Sequence, residues 1–282
     1  MSPPSPLPAN FAEALSNSAG ALSVNERYRL LQPVLGDDLC RRLGVYLLPE
    51  DFLLSVVIPV FNEVETIATV IERVRGSGVP CEIIVVDDGS TDGTRKLLET
   101  WRDDPVHRRS DLKILLHDRN QGKGAAVRNG FALATGQAVI LQDADLEYDP
   151  ADYLPLLQPL VEDQADVVYG SRFSERNGVM LTLWHTWANQ AVSLLASLRT
   201  GRRLSDVETC YKLVRRETLD RVRSQLRENR FGLEIELTLL LSRVPGVRFH
   251  ERPIRYLGRS YAEGKKITWR DGLRALWCLL RY

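Results

Sequence analysis

Apolar residues in the first two thirds of the chain fall into short unbroken runs, separated by stretches with helical spacing. Leu53–Phe61 (LLSVVIPVF) is near-continuous and β-branched, the mark of a strand buried on both faces. Glu63–Arg75 then places Ile67, Val70, Ile71 and Val74 on one helical face. Glu82–Asp87 (EIIVVD) reads as a second buried strand, closed by Asp-Gly and followed by a helix from about Thr91. The same alternation predicts strand Lys113–His117, helix Gly124–Ala134, strand Ala138–Gln142, a helix near Asp152–Glu162 and strand Asp166–Tyr169. Strands and helices at this rhythm imply right-handed β-α-β units. The fold class is therefore α/β, with a Rossmann-like, mainly parallel sheet covered by helices on both faces.

The rhythm breaks after Gly170. A long helix is predicted from about Val179 to Leu198, then a strand near Thr209–Val214 and helices near Glu217–Gln225 and Glu234–Ser242. Val247–Tyr256 reads as extended, and Trp269–Tyr282 as a final helix. Trp269, Leu273, Leu276, Trp277 and Leu280 make an apolar stripe on that helix, flanked by Arg270, Arg274 and Arg281. Such a stripe is either core or an amphipathic contact with a membrane surface. Upstream, residues 1–23 are rich in Pro, Ser and Ala, and two short helices are expected in 24–50, broken at Pro33 and Gly36.

Composition narrows the class. The chain has 282 residues, of which 44% are hydrophobic and 26% charged, as in ordinary globular proteins. Its four cysteines (Cys40, Cys81, Cys210, Cys278) form no C-x-x-C pair, which argues against a disulfide scaffold or zinc knuckle and suits a reducing compartment. Residues 1–25 hold four prolines and no Lys or Arg, so a secretory signal is not expected. The uncharged run Asn177–Leu198 contains His185, Asn189 and Gln190 and reads as a buried or interfacial helix rather than a membrane span. Net charge is zero, yet Arg199–Tyr282 carries 20 Lys+Arg against 10 Asp+Glu, and the rest of the chain the opposite excess. Either the two oppositely charged parts dock on each other, or the C-terminal part faces an anionic partner, phosphate groups or acidic lipid.

In an open parallel sheet, ligands bind beyond the carboxyl ends of the strands. The residues there are Pro59–Glu63, Asp87–Ser90, Asp143–Glu147 and Gly170–Arg172. Ser90 and Asp92 have an ordinary explanation as helix caps, and Asp206 could equally cap the segment after it. Asp143 and Asp145 do not: two carboxylates one residue apart at a strand end, with Glu147 beyond, repel one another unless a cation joins them. An oxygen-only set favours Mg²⁺ or Mn²⁺ carried with a diphosphate. Gly122-Lys123-Gly124 opens a helix and could bring N–H groups and one ammonium near an anion. Neither G-x-G-x-x-G after the first strand nor G-x-x-x-x-G-K-[ST] anywhere occurs, so dehydrogenase and P-loop readings lose their support.

The motifs VVIPVFNE (Val56–Glu63), VVDDGSTDGT (Val85–Thr94), NQGKGAAVRNG (Asn120–Gly130), QDADLEYDP (Gln142–Pro150) and GSR (Gly170–Arg172) resemble those of the family 2 glycosyltransferases of GT-A fold. Within that family, SDVETCYKLVRRE (Ser205–Glu217), ENRFGLEIEL (Glu228–Leu237) and YLGRSYAEGKKITWRDGLRALW (Tyr256–Trp277) are similar to the dolichol- or polyprenyl-phosphate hexose (mannose or glucose) synthases. The resemblance implies a GT-A domain over residues 51–282 behind an extension at 1–50. Its nucleotide-sugar half would be 53–172, its acceptor half 173–265 and its terminal amphipathic helix 266–282.

The roles that follow are those the resemblance implies. Pro59, Phe61 and Glu63 would line base and ribose, with Val86, Asp88, Lys123, Asp143 and Ala144 completing the nucleotide site. Asp143 and Asp145 form the family's D-x-D motif, Asp145 carrying the main bond to Mg²⁺ or Mn²⁺. Glu147 would be a further ligand where relatives often have Gln. Arg172, Arg259 and Lys265 would surround the diphosphate and acceptor phosphate, and with Asp145 make the catalytic set. The implied reaction is inverting transfer of a hexose from a GDP- or UDP-sugar to a polyprenyl phosphate, on the cytoplasmic face of a membrane, with peripheral contact and no nucleic-acid partner. A phosphate acceptor is already an anion and needs no strong base. The alternative is a glycan or other hydroxyl acceptor, which needs one, with Glu234 or Glu236 the first candidates; both also suit a helix start. A sugar-phosphate nucleotidyltransferase would instead show a Gly-rich loop after the first strand, and a non-catalytic nucleotide-sugar binder would not need Asp143, Asp145 and Arg172 intact.

Overall fold

The computed structural model of the chain describes residues 22–103, 111–173, 183–259 and 269–282. The apolar runs become β1 (Leu54–Val60), β2 (Cys81–Asp87), β3 (Leu112–Leu116), β4 (Ala138–Leu141) and β5 (Val167–Ser171). Every residue of β4 and β5, and all of β1 except Pro59, is buried, as a sheet covered on both faces requires. Two further strands, β6 (Lys212–Arg215) and β7 (Phe249–Pro253), complete a seven-stranded sheet in the order β3-β2-β1-β4-β6-β5-β7. The predicted parallel pairings hold for β1 with β2 and β4, and for β2 with β3. β6 runs antiparallel between β4 and β5, which makes the sheet mixed.

Between these strands run α2 (Ile67–Gly76), α3 (Thr94–Asp103), α4 (Lys123–Leu133) and α5 (Tyr153–Val161). α2 buries Ile67, Val70, Ile71 and Val74, the face its spacing predicts. Two helices start later than expected. Asn62 at φ 53° and Asp92 hold the loops before them, Asp92 accepting from the N–H of Thr94 (3.0 Å) and of Val64 (3.1 Å). α4 lies close on the sheet because its buried face is small (Gly124, Ala125, Ala126, Gly130); a methyl group at Gly130 would overlap Val57.

The C-terminal part supplies α6 (Leu183–Thr200), α7 (Arg216–Asp220), α8 (Leu233–Ser242) and α9 (Trp269–Arg281). The predicted helix 217–225 is shorter, α7 being followed by a separate 3₁₀ turn at Arg223–Gln225. The expected strand at Thr209–Val214 begins only at Lys212, since Val207 and Thr209 turn their carbonyls to the Lys212 ammonium. Ahead of the sheet, α1 (Val24–Arg42) consists of the two short helical stretches expected, which meet at a kink where Gly36 leaves helical geometry (φ 73°), while Pro33 lies within the first. Ser23 and Glu26 form a capping box at its start. The extension docks firmly: Asn25 exchanges two hydrogen bonds with the Leu48 backbone, and the buried Tyr46 donates to the Leu154 carbonyl at 2.7 Å.

Charge asymmetry is partly resolved by docking. Arg215 and Arg248 pair with Asp163 and Asp166, Arg255 with Asp149 and Asp152, and Arg259 with Glu63. At the amino end of the sheet, buried Glu82 accepts from Ser55 (2.6 Å), Lys113 (2.6 Å), the Thr135 hydroxyl (2.9 Å) and the Gly136 N–H (3.1 Å). Burial alone raises this carboxyl, but the Lys113 ammonium and the Ser55 and Thr135 donors outweigh it and hold the group down at about 2.

Two stability predictions follow from this packing. Gly130→Ala should cost about 1–3 kcal/mol in urea unfolding, because α4 cannot retreat from β1 without losing contacts along its length. Glu82, ordinarily near 4.5 when unfolded, contributes stability that is complete above that pH and lost as pH falls toward 2. The advantage of wild type over Glu82→Gln should therefore shrink across that window; an advantage constant with pH would contradict the assignment.

Candidate active site

The loops after β1, β2, β4 and β5 converge at one edge of the sheet, and each is built around a carboxylate or an amide. After β1 and β2, Asn62 N–H donates to Ser90 Oγ (2.9 Å), Thr91 N–H to Asn62 Oδ1 (2.8 Å) and Glu63 N–H to Thr94 Oγ1 (2.9 Å). Ser90 and Asp92 thus lace two loops together, beyond a simple capping role. Asp88 is buried and accepts from the Gln121 and Gly122 N–H groups, each at 2.8 Å, and from His117 Nδ1 at 2.8 Å. A carboxylate can only accept there, so His117 donates from Nδ1, and its Nε2 accepts from Asn129 (2.8 Å). The resemblance places Asp88 at the nucleotide; here its oxygens hold the loop that carries Lys123. Gly122 stands at φ 100° with the Asn229 carbonyl against it, a place closed to any side chain.

The D-x-D segment is fixed from below by Gln142, whose Oε1 accepts from Tyr153 (2.8 Å) and Tyr211 (2.7 Å). Leu146 at φ 66° then forces a sharp turn, a conformation unfavourable for a leucine, and aims its neighbours. Asp143 Oδ1 lies 2.8 Å from Lys123 Nζ, which also reaches Glu234 Oε1 at 3.0 Å. Asp145 accepts from the Glu147 N–H at 3.1 Å. Burial, then the Asp143 and Glu147 carboxylates, push its carboxyl up to about 7. Such uncompensated negative charge among oxygen donors is what a hard divalent cation neutralises, so the residues fit Mg²⁺ or Mn²⁺.

Glu147 is placed otherwise than the resemblance implies. Its Oε2 accepts from the Tyr256 hydroxyl (2.7 Å), its Oε1 from the Arg259 N–H (2.7 Å), and its carbonyl from the Leu257 N–H (2.9 Å). Among the described residues no three His, Cys, Asp or Glu side chains gather as a metal cage. The expected trio of ligands is therefore not assembled, and Glu147 ties down a C-terminal strap. From that strap Arg259 reaches Glu63 at 3.1 Å. Lys265 lies outside the described residues.

Arg172 is buried and held bidentately by Asp206, with Nε and Nη2 each 2.7 Å from a carboxylate oxygen. Its guanidinium also lies 5.1 Å from the centre of the Tyr256 ring. Asp206 is thus the counter-ion of Arg172 and caps nothing. Asn189 on α6 accepts from Arg172 Nη2 (2.7 Å) and donates to Glu208, whose carboxyl burial pushes up to about 7, partly offset by Arg172. Asn189, Asp206 and Glu208 are site residues without a sequence signal of their own beyond the segment Ser205–Glu217. Glu236 accepts from the Arg227 and Glu228 N–H groups (2.7 and 2.8 Å) and is structural. Glu234 is buried with Oε2 unpartnered. Val86 lies fully buried in the core, and Ala144 is likewise buried, while Pro59, Phe61 and Glu63 are half-buried at the end of β1.

A mainly parallel sheet in this order, with acidic residues gathered past β1, β2 and β4, defines a GT-A-fold protein. The chain belongs to glycosyl transferase family 2, whose sequence profile matches residues 55–223. It is 35% identical over 166 residues to undecaprenyl-phosphate 4-deoxy-4-formamido-L-arabinose transferase of Pectobacterium carotovorum subsp. carotovorum (strain PC1), covering 57% of this chain and 48% of that protein. Against the Yersinia enterocolitica protein of the same name it is 31% identical over 170 residues, 59% of this chain and 50% of the relative. The chain thus spans about half the length of these curated relatives. Among solved structures, glucosyl-3-phosphoglycerate synthase from Mycobacterium tuberculosis, in complex with Mn²⁺, UDP and phosphoglyceric acid, superposes with a TM-score of 0.59 at 22% identity, covering 82% of this chain and 78% of that one.

The Arg172–Asp206 pair should be costly to break from one side. Asp206→Ala leaves a guanidinium buried without its counter-ion and should lower unfolding stability by about 3–5 kcal/mol, which denaturant titration reads directly; a loss under about 1 kcal/mol would show that the pair is solvated.

Proposed function

We propose that this chain transfers a hexose, with inversion, from a nucleotide-diphosphate sugar to a polyprenyl phosphate. The observation that carries the donor half is the half-buried Asp143–Asp145 segment, whose carboxylates lack a full complement of positive charge. A bound Mg²⁺ or Mn²⁺ supplies charge neutralisation for the departing diphosphate. Asp143 and Asp145 would hold it. Lys123 and Arg259 flank this segment, and Arg172, fixed by Asp206, presents a rigid guanidinium. In the reaction an oxygen of the acceptor phosphate bonds to the anomeric carbon as the bond to the diphosphate breaks, and the nucleoside diphosphate leaves with its electron pair. The acceptor is already an anion, so the residues have to hold two anionic groups in line and keep water out.

Two observations support a lipid acceptor. The curated relatives bear the name of undecaprenyl-phosphate transferases. In addition, α6 and α9 pack against each other and leave large apolar side chains in solvent: Leu194 and Leu198 are 61% and 74% exposed, and Leu280 83%. The apolar stripe expected on α9 is turned outward at Trp277 and Leu280, while Ala275, Cys278 and Leu279 face the core. Arg274 and Arg281 lie over the Trp277 ring. Exposed apolar groups ringed by arginine suit an anionic membrane surface. Among the described residues no helix is long and apolar enough to cross a membrane. The four cysteines are free thiols, in keeping with a cytoplasmic-side reaction. A hydroxyl acceptor is the second reading, favoured by the unpartnered Glu234 Oε2 as a base.

Incubation with Mn²⁺ or Mg²⁺, a panel of GDP- and UDP-hexoses and a short polyprenyl phosphate should yield a β-linked lipid phosphate sugar, detected by mass spectrometry. Asp145→Ala should lower it by about 10²-fold or more. Slow donor hydrolysis without lipid product would reject the lipid acceptor and turn the search to glycans. Separately, Leu198→Asp with Leu280→Asp should sharply reduce co-sedimentation with vesicles containing anionic lipid; unchanged binding would remove α6 and α9 from the contact.

A further inference from the structure

Lys123 does not lie free at the start of α4. Its ammonium is held between Asp143 Oδ1 (2.8 Å) and Glu234 Oε1 (3.0 Å), half-buried beneath Phe231, whose ring centre is 5.7 Å away. Its backbone cannot drift: Asp88 grips the two preceding N–H groups, and Gly122 and Gly124 are pressed against the 228–230 backbone. Only the four-carbon stem is able to change partner. Glu234 keeps a second oxygen, buried and unpartnered, in the same cluster.

We propose that Lys123 is the resident counter-cation of Asp143 and makes divalent-cation binding conditional on the donor's diphosphate, an inference that rests on the metal-assisted reading above. A cation arriving alone meets an ammonium already seated on one of its two carboxylates. A diphosphate arriving beside Lys123, at the positive end of the α4 dipole, offers the lysine a stronger partner. The ammonium turns to it, and Asp143 is released to the incoming ion. Asp143 keeps a positive neighbour throughout the exchange. Glu234, by sharing the ammonium, loosens its hold on Asp143 and sets how easily the ion displaces it, while the exchange itself lies between Asp143 and the diphosphate. The lysine is thus a positioning residue that couples two binding events.

The test measures Mn²⁺ binding by the electron paramagnetic resonance of the free ion, corrected by protein-free controls for the Mn²⁺ that the nucleotide itself takes up, with and without UDP and, separately, GDP, in wild type, Lys123→Met, Lys123→Gln and Glu234→Gln. No sugar or acceptor is present. In wild type, nucleoside diphosphate should tighten Mn²⁺ by about tenfold or more, within the usual range for coupled sites. Both lysine variants should bind Mn²⁺ more tightly alone and lose most of that coupling. Glu234→Gln, which leaves the lysine to Asp143, should bind Mn²⁺ more weakly alone and retain the coupling. Equal coupling in wild type and in the lysine variants, all with cooperative thermal melts, overturns this inference and leaves the transferase reading standing. Mn²⁺ that binds to none of the proteins, even with nucleotide, overturns the metal-assisted reading and this inference together. Because Glu234→Gln keeps the lysine, a misfolded lysine variant does not decide the matter: a loss of coupling in Glu234→Gln equally overturns the inference.

Discussion

Carboxylates crowded at one edge of a sheet must be neutralised in a place where water is scarce, and the molecule is organised around that requirement. Asp88 is answered by two backbone N–H groups and a histidine, Asp206 by a bidentate guanidinium, Asp143 by an ammonium, and Glu147 by a phenol and an N–H. Each answer also fixes a piece of chain that has no regular structure of its own. Loops that would otherwise be mobile are set by charge-assisted bonds, the stronger kind in a low dielectric. Around Asp145 the protein's own positive charge falls short, and the Asp143–Asp145 segment is where a ligand's charge would be taken up.

The fold was legible in the chain wherever burial on both faces dictated composition. β1, β2 and β4 stand within a residue or two of their apolar runs, since a strand covered by helices has no polar positions to blur its ends. β6 was misplaced because its run is short and its first residue is a buried lysine, satisfied by carbonyls that only the folded loop brings near. Its antiparallel direction leaves no mark in sequence at all, because an antiparallel strand buried on both faces has the same composition as a parallel one.

Site residues divide in the same way. Asp143 and Asp145 stand out in the sequence by their spacing, and the structure sets them past β4 with Lys123 against Asp143. Glu147 was read as a third ligand from its position, yet its carboxylate is turned by the strained Leu146 toward a strap more than a hundred residues away in sequence. Asn189, Asp206 and Glu208 could not be picked out singly: their meaning depends on Arg172, which comes from another strand. The opposite charge excesses of the two parts meet in some of the contacts between them, as with Arg248 and Asp166 or Arg259 and Glu63.

The position of β6 between β4 and β5 also dictates an order of assembly. β1 to β4 can zip together as soon as they emerge from synthesis, each finding a parallel partner already made. β4 then waits with one edge bare until residues 142–211 have been made, since its partner on that side is the strand after β5. Through that interval the nascent chain presents an apolar, unpaired strand, the kind of edge that recruits other chains.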